Sequence, residues 1–169
     1  MLAGFALALL PCLGTAQPAA RIEFAPLSQK FAEILGAHRR NLEDLRAQMV
    51  SKQMISSGVG EVAFAQSVLD HHLVSPKSVS DGEAIGVLIG DQIVRRGDFQ
   101  WLDVTDQWGT EPVVCHKQKQ VFAAPISGVL KRFRRGEADF NVAELVEGLT
   151  KTCLEQISQA SDLPPKLRR

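Results

Sequence analysis

The sequence predicts an α+β fold in which a small antiparallel sheet packs against a central buried helix. This prediction comes from an almost wholly apolar helical segment at 81–96, an alternating segment that begins at Phe99, and helical periodicity on both sides of them. We expect three strands between 99 and 123, with further helices flanking the central one. Because no internal repeat is visible, residues 26–159 are predicted to form a single domain.

The central helix is predicted from apolar residues that cover most of its circumference, as in a buried helix. Ser80 and Glu83 have the spacing of a capping box, which places the helix start near Asp81. Gly86 and Gly90 lie four residues apart on one face, and each glycine costs about 1 kcal/mol in a helix interior. We therefore expect another element to pack against bare backbone there, since the glycine spacing matches no nucleotide-binding pattern.

Two polar residues stand out within the helical patterns. His38 interrupts the apolar stripe of the first long helix, where a boundary or hydrogen-bonded core histidine is commoner than a ligand. Asp91 lies one turn before Arg95, which predicts an ion pair along the central helix. A functional role for Asp91 is the alternative.

The strand hairpin that follows is predicted from alternation and turn chemistry. Residues 99–105 alternate as a half-buried strand, and the turn after them contains Gly109, which accepts a positive φ. Pro112 belongs at the start or edge of the next strand because it has no N–H. Residues 113–116 and 120–123 are predicted as the second and third strands.

Four further helices are predicted from three- and four-residue apolar spacing. Two of them, 26–55 and 59–73, precede the central helix. A short helix starts at Pro125, which suits a first helical position, and a longer one runs from Asn141 to about 158. The predicted buried stripe of the short helix consists of Ile126, Val129, Leu130 and Phe133.

The first residues are typical of a secretory signal peptide, predicted here as 1–16. Residues 1–20 contain no charged side chain, and a short apolar run at 4–10 is followed by Pro11 and small residues. The run is too short for a membrane span in the mature protein. We expect cleavage near Ala16 and a periplasmic or secreted location.

Charge and cysteine content limit the function classes. The sequence has 19 basic and 19 acidic residues, so its formal net charge is zero and gives no general attraction to nucleic acid or anionic membranes. Cys115 and Cys153 follow the leader, and we favour two buried thiols over a disulfide. Residues 160–169 carry too little apolar surface to pack and are predicted to form a flexible tail.

Catalytic and metal patterns are weak in this sequence. His71 and His72 project about 100° apart on a helix and fit no zinc motif, so we expect neither a metal nor a cofactor. Cys115 and His116 are successive strand residues whose side chains point to opposite faces, which rules them out as a nucleophile and base pair.

A hydrolase remains the alternative function. It would use acidic residues of the hairpin, Asp103, Asp106 and Glu111, together with a histidine such as His116. Turns also collect aspartate for local hydrogen bonds. We therefore regard the protein as a non-catalytic domain.

A set of blocks in the middle of the chain carries a family resemblance. The blocks are 66–70, 86–91, Trp101, 106–112, 125–126, 131–132 and 136–137. Their order and spacing resemble, without a gap, those of a bacterial family catalogued as domain of unknown function 3806, over about 61–149. The sequence departs from the family pattern at Trp108, Thr110 and Glu111, where tyrosine, arginine and aspartate are usual. The resemblance implies a shared fold and brings no activity or cofactor.

The favoured function is a binding domain of the cell envelope whose partner is a protein or polymer. Its candidate surface is the hairpin tip, with Asp106, Trp108, Thr110 and Glu111, because tryptophan is a frequent interface anchor and has no evident core to enter from a turn. The alternative is that Trp108 folds back against Pro112 or the C-terminal helix.

A second candidate site is a basic run at the end of the short helix. Lys131, Arg132 and Arg135 would form a patch for anions. Cations in a last helical turn also complement the helix dipole, and we favour that interpretation.

Overall fold

The computed structural model describes residues 22–118 and 121–162 of the 169-residue chain. These residues form an α+β fold of five helices and one four-stranded antiparallel sheet, so the predicted class is confirmed with one strand more than expected. In chain order the elements are β1 (Glu23–Pro26), α1 (Gln29–Ser51), α2 (Glu61–Asp70), α3 (Val79–Val94), β2 (Phe99–Asp106), β3 (Gly109–His116), β4 (Phe122–Ala123), α4 (Pro125–Arg134) and α5 (Val142–Asp162).

The additional strand is β1, which lies at the edge of the sheet beside β2. Its register runs from Glu23 opposite Thr105 to Pro26 opposite Leu102. The predicted helix start at Pro26 was therefore wrong, and α1 begins after Ser28, whose hydroxyl accepts the N–H of Phe31. An edge strand tolerates a proline because one side of it needs no ladder hydrogen bonds.

The hairpin formed by β2 and β3 is longer than predicted. Its register extends from Phe99 opposite His116 to Asp106 opposite Gly109, and Gly109 has the expected positive φ of +133°. Pro112 lies inside β3 rather than at its start. Among the described residues, β4 pairs with β3 only at Val114 and Cys115, so the ladder to β4 does not require an N–H from Pro112.

The central position of α3 is confirmed by its packing. It contacts the other four described helices and the strands β2 and β3. The helix starts two residues before the predicted position, because Ser78 rather than Ser80 is the N-cap and accepts the Asp81 N–H at 3.2 Å. Glu83 is not part of a capping box and lies instead 3.3 Å from Nε2 of the buried His38. His38 is thus a core histidine with a polar partner, as expected.

The glycines of α3 pack against other elements, as the sequence predicts. A Cβ added to Gly86 would lie 2.5 Å from the Cα of Ile126 in α4. A Cβ on Gly90 would overlap the indole ring of Trp101 and lie 3.0 Å from Pro125. The helix α3 therefore needs glycine where α4 and β2 approach its backbone most closely.

The main hydrophobic core lies between α3, the sheet, α2 and α5. Its fully buried side chains include Phe64, Val68, Ile85, Ile89, Ile93, Val114 and Val142. Both described cysteines, Cys115 and Cys153, are buried thiols and form no disulfide with each other, which agrees with the favoured prediction.

The remaining helices follow their predictions with shifted ends. The helix α4 begins at Pro125 and buries the expected stripe except for Leu130, which is half-buried, while α2 is shorter than predicted at both ends. Asn141 caps α5 by accepting the N–H of Glu144 at 3.0 Å. Since α5 extends to Asp162, the predicted tail begins inside a helix. The predicted leader and residues 163–169 lie outside the described residues.

No helix in the described part of the chain has both the length and the apolar character needed to cross a membrane.

Candidate functional site

The hairpin tip is a two-residue turn held by the side chain that precedes it. The Oδ1 atom of Asp106 accepts the backbone N–H of Trp108 at 2.7 Å. This is the local bond for which aspartate is favoured in turns, and it fixes the backbone that carries the indole. The predicted site residue Asp106 is thus a turn-forming residue.

Of two other predicted site residues, Thr110 joins the two strands of the hairpin and Glu111 joins the hairpin to α4. The Oγ1 atoms of Thr105 and Thr110, which face each other across the strands, are 2.9 Å apart. Glu111 accepts a short hydrogen bond from the hydroxyl of Ser127 in α4. The turn therefore sits on a strand pair that is tied to a helix, which limits the movement of its tip.

Trp108 is the outlier among the four predicted residues, because its side chain is 86% exposed. Neither Pro112 nor α5 covers it, so the fold-back alternative is wrong. An indole of this exposure presents a large apolar surface and one N–H donor at the outermost point of the hairpin.

The acidic and histidine residues of the hydrolase alternative do not come together. Asp103 is only 6% exposed, and its Oδ2 accepts the backbone N–H of Ser28 at 3.2 Å. Glu111 and His116 lie five residues apart on β3, which separates them by about 17 Å and places them on opposite faces. His116 accepts the N–H of Gln118 and packs edge-on against Phe99. The side chains in this arrangement have no shared acid–base geometry.

Metal-ligating side chains are not clustered in the described residues, where no group of three histidine, cysteine, aspartate or glutamate side chains is suitably placed for an ion. The ring of His71 contacts the carbonyl of Ser67 at 2.8 Å through Nδ1. His72, with φ of +51°, lies beyond the end of α2.

The structure does not bring the side chains of the predicted anion patch together. Arg132 donates to the carbonyl of Gly128 at 3.2 Å and lies 5.8 Å from the ring centroid of Phe140. Lys131 and Arg135 are exposed and lie one helical turn apart. The three residues therefore do not converge on one anion, and all of them sit where the dipole of α4 favours positive charge.

A polar cluster that the sequence did not reveal joins three elements around Asp91. Arg39 of α1 donates to both carboxylate oxygens, each at 2.7 Å, and Trp101 Nε1 donates to Oδ1 at 2.9 Å. The hydrogen bond to Asp91 raises the pKa of Arg39 above its ordinary value. The predicted pair with Arg95 was wrong, because Arg95 turns toward Glu61 at 3.9 Å.

The Asp91 cluster borders a small cleft of about 110 Å³ between α1, α2 and α3. A second ion pair lies in the same cleft, with Arg46 and Glu61 at 2.8 Å. Asp91 accepts hydrogen bonds from side chains of two other elements. Its carboxylate therefore links α1, α3 and β2.

Comparison with known proteins identifies one family. The model of the family described as "Domain of unknown function (DUF3806)" matches residues 61–145, which cover the chain from α2 to the first turn of α5. No curated protein matches the chain.

A solved structure from Bacteroides thetaiotaomicron VPI-5482 is similar in fold. The two chains share 15% sequence identity with a TM-score of 0.60. The match covers 75% of this chain and 48% of the other, so this chain spans about half the length of the solved one. At this identity the similarity concerns the fold alone.

Proposed function

Because the chain belongs to the DUF3806 family, which brings a shared fold without an activity, we propose from its own surface that it is an exported, non-catalytic binding domain of the cell envelope. The exposure of Trp108 at the hairpin tip carries this proposal. The uncharged, apolar residues 1–16 support export. The contacts of α3 with all other described helices support a single domain.

The exposed indole surface of Trp108 makes the hairpin tip suited to binding. Burying about 150 Å² of indole surface in a partner contributes roughly 4 kcal/mol before the costs of association. Tryptophan loses little side-chain entropy on binding and is enriched among the residues that dominate interface energies. The bond from Asp106 to the Trp108 N–H fixes the turn in advance, which lowers the ordering cost.

The charge of the tip indicates the chemistry of its partner. Asp106 lies in the turn and Glu111 lies two residues after Gly109, so the indole is accompanied by carboxylates. We propose that the partner is an envelope protein with an apolar pocket bordered by basic or hydrogen-bond-donating groups.

The test is the substitution Trp108→Ala. Since the side chain is almost fully exposed, we expect a change in free energy of unfolding within about 0.5 kcal/mol and an unchanged melting temperature. Proteins retained from envelope extract by the wild type should be lost by the variant.

Amino-terminal sequencing of the periplasmic protein tests cleavage near Ala16.

Leu154→Ala is the matched control, because Leu154 is an exposed apolar residue of α5. It should retain the same partners as the wild type. Equal retention by Trp108→Ala, or a large fall in its melting temperature, would show that the indole is not the binding anchor.

A further inference from the structure

A groove with an apolar floor and a basic rim lies where the start of α3 meets the end of α4. Its volume is about 530 Å³. Leu130 and Phe133 of α4 form the floor together with Val79, the first residue of α3, while Lys77 and Arg134 stand at its sides. A volume of this size is in the range of known ligand sites.

We propose that this groove binds an acidic peptide segment of a partner protein, which places one apolar side chain on the floor and its carboxylates against the rim. This binding surface goes beyond the hairpin tip proposed above. The tip adjoins the start of α4 through Ser127, whereas Arg134 lies seven residues later, about 10 Å along the helix.

Part of the apolar surface of the groove is exposed to solvent. Val79 is 57% exposed although it is a β-branched apolar residue at the start of a helix. Leu130 packs so closely on the backbone of Gly82 that a Cβ there would lie 2.7 Å from its Cδ2. The floor is therefore a fixed surface between two packed helices, and Val79 is the part of it that a ligand side chain would cover.

The rim supplies the charge complementarity for an acidic ligand. Lys77 and Arg134 are exposed, and Lys131 and Arg135 continue the positive surface along α4. None of these four side chains forms an ion pair with another residue in the described ranges 22–118 and 121–162. Unpaired cations around an apolar surface attract carboxylates strongly at low ionic strength.

The acidic groups nearby leave this excess in place. Asp81 in the first turn of α3 accepts the N–H of Ser75 at 2.8 Å, so its carboxylate lies against the loop that carries Lys77. Glu137 and Asp139 follow the end of α4 and are exposed. The groove itself is lined by two cations, Lys77 and Arg134, and by no carboxylate.

A peptide fits these features better than a membrane surface. An interfacial helix needs a broad apolar face, whereas the exposed side of α4 presents Lys131, Arg134 and Arg135. The apolar area is limited to a groove, which accommodates single side chains of a chain lying across it.

Binding is tested by fluorescence anisotropy with a short labelled peptide that has two leucines among glutamates. A peptide with lysine in place of glutamate and one with alanine in place of leucine are the ligand controls. We expect saturable binding of the acidic leucine peptide alone. The double variant with Lys77→Glu and Arg134→Glu should weaken it by roughly tenfold or more, and added salt should weaken it in the wild type.

Two further variants separate the groove from general electrostatics. Val79→Asn should weaken binding without unfolding the protein and without changing its charge, because the residue is exposed and lies at the first position of α3. Lys52→Glu reverses an exposed charge at the end of α1 and should leave binding unchanged.

The proposal is overturned if the acidic peptide does not bind saturably or if Lys52→Glu weakens it as much as the groove variants. It is also overturned if the protein binds vesicles of phosphatidylglycerol and not the peptide, which would make a lipid surface the ligand. A dimer in analytical ultracentrifugation that Val79→Asn dissociates would identify a second copy as the occupant and exclude the peptide.

Discussion

The carboxylate of Asp91 joins parts of the chain that are far apart in sequence. It accepts two hydrogen bonds from Arg39, 52 residues earlier, and one from the indole of Trp101, ten residues later. Local spacing suggested Arg95 instead, since only neighbours three or four residues apart are visible in a helix sequence. The partner of Asp91 depends on how α1 packs against α3. The distance between these two helices cannot be read from one sequence.

Asp91→Ala removes the acceptor of both donors. We expect the free energy of unfolding to fall by about 2–3 kcal/mol, because Arg39 and Trp101 lose charge-assisted hydrogen bonds in a partly buried place. Urea denaturation measures this loss.

Arg39→Ala and Arg95→Ala form a matched pair for the same question. Arg39→Ala should destabilise the protein and show coupling with Asp91→Ala in a double-mutant cycle. Arg95, whose side chain is 63% exposed, should contribute less than about 0.5 kcal/mol. Equal losses in free energy of unfolding for the two arginines would show that the Arg39–Asp91 contact does not link α1 to α3.

We expect the buried thiol of Cys153 to cause a loss of stability at alkaline pH. Burial, followed by the nearby Cys115, raises the pKa of its thiol from 9.0 to about 11. Above pH 9 the unfolded chain loses this proton first, so the free energy of unfolding falls as the pH rises from 9 to 11, by about 2 kcal/mol. Below pH 9 the contribution is fully present.

Urea denaturation of the wild type and Cys153→Ala across this pH range isolates the thiol. The sequence has no tyrosine, so the lysines and the Cys115 thiol are the main other groups that titrate there, and both proteins share them. The variant should be less stable at pH 8 and show a smaller decline. A decline equal to that of the wild type would exclude a buried, neutral thiol as its cause.

The pairing of α3 with α4 shows which features of an element are visible in a sequence. Glycine spacing predicted the close approach, and Pro125 predicted the first residue of α4, because both reflect local backbone requirements. The strand β1 was missed, since its four residues gain their order from hydrogen bonds to β2 almost 80 residues later in the chain. The groove was missed for the same reason, because Val79 and Leu130 meet only after both helices pack.

Gly86→Ala tests the α3–α4 contact. The new methyl group would meet the Cα of Ile126, which is backbone and moves only with α4. We expect a loss of about 1–3 kcal/mol in the free energy of unfolding, measured by urea denaturation.

The control is Gly148→Ala in α5, where an added Cβ has nothing within 4 Å. That change should stabilise the protein by about 0.5–1 kcal/mol, since alanine is the better helix residue. A loss at Gly148 similar to that at Gly86 would show that the effect at Gly86 does not come from the contact with Ile126.

At the scale of the whole molecule, the fold class and the central helix follow from the sequence, while the function does not. Periodicity and turn residues are local and define the elements, so an α+β arrangement was predictable. The exposure of Trp108 was left open between two alternatives and was decided by tertiary structure. A binding surface is the part of a protein whose complement lies in another molecule, and no property of one chain names that molecule.

The register of β1 affects how the protein is presented to its surroundings. Glu23 lies opposite Thr105, next to the turn that carries Trp108. An affinity tag fused directly ahead of Glu23 would therefore start at the same end of the sheet as the indole. It would compete for space with a partner there, so a tag in this position should weaken capture through Trp108.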